Sequence, residues 1–386
     1  MTRKPKPYPF IRNMKKITML LVLAIAFSLL SSGANNSYAA EVLRILGWEG
    51  YFPKEKIDEF ESYITKKYGK AISIKIQTAT DEQDFFNAIR GQTSDVVLAT
   101  HNYLKDERFN YIKNKMILPI NLENVPNYST LIPAFQKMEA HVDDGLVFSV
   151  PFIAGPYGLY YNADIVKPEP ESWSIFWDER YAGQYAVSLE SYENNVYITV
   201  MGLGRDMRNK DNFTIKNIMN SEFTSRLNAL AKNADHHFEI YEKAEKIENL
   251  AFSTGWGAAL GELNKKGKNW KLANPSEGSM GWVDGFVIGN SLARDDNQRD
   301  YQFLKKVAEE WMNFTLSPKF QLDVSIRFWS AFPTNLNVKP LLTAEEITSL
   351  HLDDLNYFEE NLILFPTLTK RQRNGMKKIW EKALKK

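Results

Sequence analysis

From Glu41 onward, stretches that read as strands alternate with stretches that read as helices, and this alternation limits the fold more than any other feature. "EVLRILGW" (41–48) is a strand closing in a turn at Gly47. "PKEKIDEFESYITKKYGK" (53–70) predicts a helix: Pro53 suits its first turn, Ile57, Phe60, Ile64 and Tyr68 recur near helical spacing, and Gly69 suits its stop. "ISIKIQ" (72–77) alternates, with Ile72, Ile74 and Ile76 on one face and Ser73, Lys75 and Gln77 on the other. "DEQDFFNAIRGQ" predicts a second helix capped by Asp81, and "DVVLAT" a buried strand with a polar end at Thr100. Strands that alternate with helices build a mostly parallel α/β sheet.

The first forty residues stand apart. Six basic residues (Arg3, Lys4, Lys6, Arg12, Lys15, Lys16) precede the fourteen apolar-rich residues 17–30, "ITMLLVLAIAFSLL". That run is short of the ~20 residues that span a bilayer, and Ser37 and Ala39 fit the small-residue cleavage rule. Residues 1–40 therefore read as a secretory signal peptide, cut near Ala39, with an uncleaved anchor as the alternative. "MKKITMLL" from Met14 is itself a complete signal start, which makes Met1–Asn13 a candidate extension.

The chain holds 48 Lys and Arg against 47 Asp and Glu. Residues 1–40 carry six of the former and none of the latter, so the remainder is acidic by five. A mildly acidic exported chain without a polybasic run is poorly matched to nucleic acid or an anionic membrane. "TKRQRNGMKKIWEKALKK" at the end reads as an exposed final helix. Cysteine is absent, which removes disulfides, thiolate metal sites and a lipid-modified N-terminal cysteine. Export without a lipid anchor points to the periplasm.

"VFSVPFIAGPYGLYYN" breaks the first pattern. Residues 147–150 and 158–161 look like two strands, punctuated by Pro151 and Pro156, and the chain is expected to leave its first lobe there. A second α/β segment runs from "YAVSLE" through "LAFSTGWGAALGEL", after which "GFVIGN" and "YQFLKKVAEEWMNFTL" return to the first type of unit. The expected division is 41–150 with 286–334 as one lobe and 151–285 with 335–386 as the other. Ligands bind at the carboxyl ends of strands in open α/β sheets. Several unusual residues are expected at such ends: Trp48 and Tyr51 after the first strand, Thr100 and Asn102 after the third, and Trp282 and Asp284 late in the chain.

Enzyme motifs are scarce: there is no Walker loop, GxGxxG, GxSxG or HExxH. His236 and His237 lie in a polar run that reads as a solvated helix face. Adjacent Tyr160 and Tyr161 invite comparison with ferric-ion receptors, although a strand would put one ring in the core and one out. The aromatic residues make a stronger case. In "EGSMGWVDGFVIG" (277–289), Trp282 and Asp284 are two apart on a strand and share a face. A carboxylate buried alone is costly, so Asp284 needs either a protein Arg or Lys or a cationic ligand held beside an indole.

At these residues the sequence resembles the periplasmic polyamine-binding proteins of ABC importers, the spermidine and putrescine receptors. The likeness runs in order through "GWEGYFPKEKIDEFE", "SDVVLATHNYL", "MILPINLENVPN", "VPFIAGPYGLYYN", "SWSIFWDERYAGQYAVSLE", "EGSMGWVDGFVI" and "FPTNL". It implies the type II periplasmic-binding-protein fold, two α/β lobes closing on a ligand cleft. It implies Trp48 and Tyr51 as box aromatics, Thr100 in place of a serine, Trp282 as a wall and Asp284 as the amine's carboxylate. Trp256 falls near another family tryptophan, Glu190 and Glu193 near a second acidic pair, and Phe332 where the family has a tyrosine. Gly50 replaces a family glutamate, which removes one ammonium partner. The implied protein is a monomeric periplasmic receptor without catalytic residues or cofactor, passing a small amine to an inner-membrane permease and not itself inserting in the membrane after signal cleavage. Rival readings are the same receptor for ferric ion, a thiamine-like cation or a polar metabolite, and an exported enzyme of unrecognised chemistry.

Overall fold

The computed structural model describes residues 40–239, 241–296 and 298–386. Apart from Ala40, the predicted export segment lies outside the described residues. No helix among the described residues is long and apolar enough to cross a membrane.

The first unit is β1 (Glu41–Trp48), α1 (Lys54–Tyr68), β2 (Ile72–Ala79), α2 (Glu82–Arg90) and β3 (Val96–Thr100). β1 lies between β2 and β3 and runs parallel to both. Asp81 caps α2 in a reciprocal capping box with Asp84, and Gly69 ends α1. Residues 150–162 then form a single long strand, β4 (Val150–Asn162), where the sequence predicted two. The prolines are tolerated for local reasons. Pro151 sits at a register irregularity opposite residues 284–285, and Pro156 lies in the gap between two partner strands.

Beyond β4 come β5 (Tyr185–Ser188), α3 (Tyr192–Gly202), α4 (Ser221–Lys232), β6 (His236–Phe238), β7 (Phe252–Gly255), β8 (Trp270–Leu272) and β9 (Ser279–Gly289). The His236–His237 pair thus lies on a short strand parallel to β5, not on a helix face. The chain ends with α5 (Tyr301–Thr315), β10 (Phe332–Pro333), β11 (Leu362–Leu364) and α6 (Lys370–Ala383). The main sheet order is β2-β1-β3-β9-β4-β7-β5-β6.

β4 makes this sheet serve two lobes. Its first half pairs antiparallel with β9, its second half with β7 and β8. On the first lobe α1 packs against α5, with Phe60 and Trp311 ring centroids 5.0 Å apart. On the second, α3, α4 and α6 pack on one another. The cleft lies where β1 and β3 of one lobe and β5, β6 and β7 of the other present their carboxyl ends.

Candidate functional site

The cleft holds a cavity of about 470 Å³. Asp284 sits deep in it, 2 % exposed on β9, directly opposite Thr100 of the antiparallel β3. The Thr100 hydroxyl donates to Asp284 Oδ1 at 2.6 Å, and the Tyr51 hydroxyl donates to Oδ2 at 3.1 Å. Tyr51 reaches it from the turn after β1. Among the described residues no Arg, Lys or His pairs with this carboxylate. Burial pushes Asp284 up to about 6, opposed by the two hydroxyl donors, and the same burial beside Asp284 holds the Tyr51 phenol well above its usual range.

Aromatic rings surround the carboxylate. Trp282 shares Asp284's face of β9, and its indole lies over Gly155 of the neighbouring β4. A Cβ at position 155 would come within 2.7 Å of the indole, so glycine there is a packing requirement. Trp256, in the glycine-flanked turn after β7, meets Trp282 edge-on at 6.3 Å and Tyr157 at 4.8 Å. Trp48 stands at the end of β1 against Phe85, 4.8 Å away. Trp329 meets Tyr51 at 5.0 Å.

Nine of the ten residues singled out from the sequence line this cavity: Trp48, Tyr51, Thr100, Asn102, Glu190, Glu193, Trp256, Trp282 and Asp284. Asn102 is 3 % exposed and its Oδ1 has no hydrogen-bond partner among the described residues. Glu190 lies exposed at the end of β5, beside Glu239 at the end of β6. Glu193 lines the cavity but is bound by Arg373. Phe332 does not line it. Alternation in β10 turns its ring into an apolar cluster with Tyr357 and Phe358, at 5.8 and 5.4 Å, and leaves Ala331 facing the cleft. Neither Tyr160 nor Tyr161 lines the cavity; both are buried.

Trp329 was missed by sequence reasoning. A π-helical stretch, Gln321–Phe328, and a left-handed Ser330 (φ 53) deliver it to the cleft, and neither leaves a periodic signature. Its ring covers Gly50, whose φ of 82 disfavours any other residue and whose hypothetical Cβ would lie 3.0 Å from the indole. An aromatic wall therefore stands where a longer side chain at position 50 would project. His101 was missed too. Val283 N–H donates to its Nδ1 at 3.2 Å, so Nε2 carries the hydrogen donated to the Phe365 carbonyl, also at 3.2 Å. Burial lowers this histidine to about 4, and the neutral ring tethers the Asp284 strand to Phe365 at the cavity's edge. A second buried carboxylate, Glu242, packs behind the Trp256 turn and is pushed up to about 7 by burial.

The lining is strongly acidic. Asp81, Glu82, Glu190, Glu193, Glu239 and Asp284 line the cavity against Arg108 and Lys377, an excess of four negative charges in the lining, which Arg373 bound to Glu193 from outside the lining reduces to three. Arg108 is itself held by Asp106 at 3.2 Å and Glu82 at 3.3 Å. Such a cavity attracts a cation, and indole faces stabilise it once desolvated by about 2 kcal/mol or more. Trp329→Ala should weaken binding of a cationic ligand about tenfold and Trp329→Phe much less. Calorimetric affinities that match wild type in both variants would exclude the indole from the ligand's contacts.

The sequence pattern of the family described as "Bacterial extracellular solute-binding protein" matches residues 91–361. The chain is 23% identical over 326 residues to the putrescine-binding periplasmic protein PotF of Escherichia coli, covering 79% of this chain and 81% of that protein. It is 20% identical over 385 residues to the putrescine/cadaverine-binding protein of Pseudomonas aeruginosa, covering 95% and 98%. Among solved structures it shares the fold of the spermidine/putrescine ABC transporter substrate-binding protein PotD from Streptococcus pneumoniae. That match has a TM-score of 0.71 and 18% identity, over 89% of this chain and 98% of PotD.

Proposed function

The chain belongs to the bacterial extracellular solute-binding proteins, and from that premise we propose that it is a non-catalytic periplasmic receptor for a small cationic amine of the putrescine or spermidine kind. It would deliver this amine to the permease of an ABC importer. One observation carries the reading: a fully buried carboxylate, walled by indoles, has hydroxyl donors but no cationic partner among the described residues. A ligand ammonium supplies the missing charge through a charge-assisted hydrogen bond. The amine relatives bind solutes of this chemical class, as their names state.

No bond needs to be made or broken. Contacts from both lobes favour the closed form by the ligand's difference in affinity for the closed and open states. A thermal-shift panel of amines, metal ions and small anions tests the reading, since a ligand bound only by the native state raises its melting temperature. Putrescine, cadaverine or spermidine should give the largest shift. A shift confined to ferric ion or to anions would overturn the amine assignment.

The pH dependence follows from Asp284. The ligand pairs with the charged carboxylate, so amine affinity should be level above neutrality and fall about tenfold per pH unit below about 6. Calorimetry from pH 8 to pH 5 measures this. The same scan on Asp284→Asn should lose that step and retain any change due to Glu242.

A further inference from the structure

The C-terminal helix carries a charge pattern that the ligand cavity does not explain. Residues 369–386 hold eight basic residues and one acidic residue, whereas residues 41–368 are acidic by twelve. Arg373 is buried; the other seven, Lys370, Arg371, Lys377, Lys378, Lys382, Lys385 and Lys386, are exposed. Positions 370, 371, 377, 378, 382 and 385 recur at helical spacing and form one stripe about 20 Å long. Met376, Ile379 and Trp380 face the opposite way, into the second lobe. Among the described residues the ion pairs of this helix are those of Arg373, to Asp106 and Glu193, and the seven exposed cations take no part in them.

Helix stability does not account for the stripe. Lys370 and Arg371 occupy the first turn, where the macrodipole disfavours positive charge, and the one carboxylate there, Glu107 of the loop after β3, accepts the Lys370 backbone N–H instead of pairing with either side chain. Lys378 and Lys382 are like charges four apart, a repulsive spacing. The stripe also reaches the cavity, since Lys377 is one of its lining residues. We propose that the exposed face of α6 is a docking strip for an acidic protein surface, that of the membrane partner which receives the ligand at the cleft mouth. This rests on the receptor reading above for the partner's nature. A planar anionic bilayer fits less well. The face exposes a single large apolar side chain, Leu384 at its end, too little for insertion, and a flat negative surface would meet the acidic body as well as the strip. A protein can place its carboxylates against the helix alone.

The test uses the full exported protein in cells, with a photo-crosslinking amino acid at position 378. The expected adduct is a transporter subunit, identified by mass spectrometry and joined through an acid-rich exposed segment. Lys382→Glu with Lys385→Glu should cut that adduct about tenfold, because opposed charges now repel, while putrescine affinity of the purified variant stays unchanged. An adduct that survives charge reversal, an adduct only to lipid, or no adduct would each overturn the proposal. So would co-sedimentation of wild type with phosphatidylglycerol vesicles that the double variant loses together with the adduct, which would make the bilayer the occupant. The crosslink is scored without reference to ligand, so failure of the amine panel is read separately from failure of the strip.

Discussion

Asp284→Asn is expected to cost about a hundredfold or more in amine affinity while stabilising the ligand-free protein. Both effects come from one source. Removing the charged partner of a buried ammonium typically costs about 2–5 kcal/mol of binding. In the free protein the same charge is a liability, because burial raises the carboxyl from 3.8 to about 6, equivalent to about 3 kcal/mol at neutral pH. An acid whose folded value is raised contributes stability below its unfolded value and loses it as pH rises through the folded one. The wild-type apo-protein should therefore gain stability between pH 7 and pH 5 at this site, and Asp284→Asn should already possess that gain at pH 7. The asparagine can still accept from Thr100, and its amide can donate to the Tyr51 hydroxyl, so the fold loses little. Urea denaturation and calorimetry on the same preparations measure the two halves. A variant that loses both affinity and stability would show that Asp284 holds the structure together instead of waiting for a ligand.

The second large effect concerns Arg373. Its guanidinium is 3 % exposed side chain and donates to Asp106, which is wholly buried in the first lobe, and to Glu193 at the start of α3 in the second. Asp106 also accepts from Arg108. Arg373→Ala leaves two carboxylates short of a partner in a poorly solvated place, a loss of about 3–5 kcal/mol. Arg373→Lys should recover only part of this, because a single ammonium cannot fork to two carboxylates as the planar guanidinium does. Because the group ties one lobe to the other, small-angle scattering should also show a more open ligand-free form. A stability change below about 1 kcal/mol, typical of an exposed pair, would contradict this account.

These two sites differ in how far the sequence discloses them. Asp284 announces itself, since a carboxylate two residues from a tryptophan inside an apolar strand is anomalous locally. Its hydroxyl donors do not, because Thr100 lies opposite only through the antiparallel register of β3 and β9, 184 residues apart. The first βαβ unit was legible because Ile72, Ile74 and Ile76 and the caps at Asp81 and Gly69 are local signals. β4 was not, because Pro151 and Pro156 read as breaks until their partner strands show which edges lack a ladder. Phe332 failed by one position: likeness to a family motif gives the segment, but strand alternation decides which neighbour faces the cleft. Trp329 and Arg373 carry no local signature at all, the first because a π-helix and a left-handed residue aim it, the second because its partners lie 180 and 267 residues away.

The most direct measurement is a crystal structure of the protein with the amine that gives the largest thermal shift. The account predicts a ligand nitrogen about 2.7–2.9 Å from an Asp284 carboxylate oxygen, flanked by the indoles of Trp282 and Trp329. A bound ligand whose cationic nitrogen lies elsewhere, with Asp284 still bonded only to Thr100 and Tyr51, would contradict it.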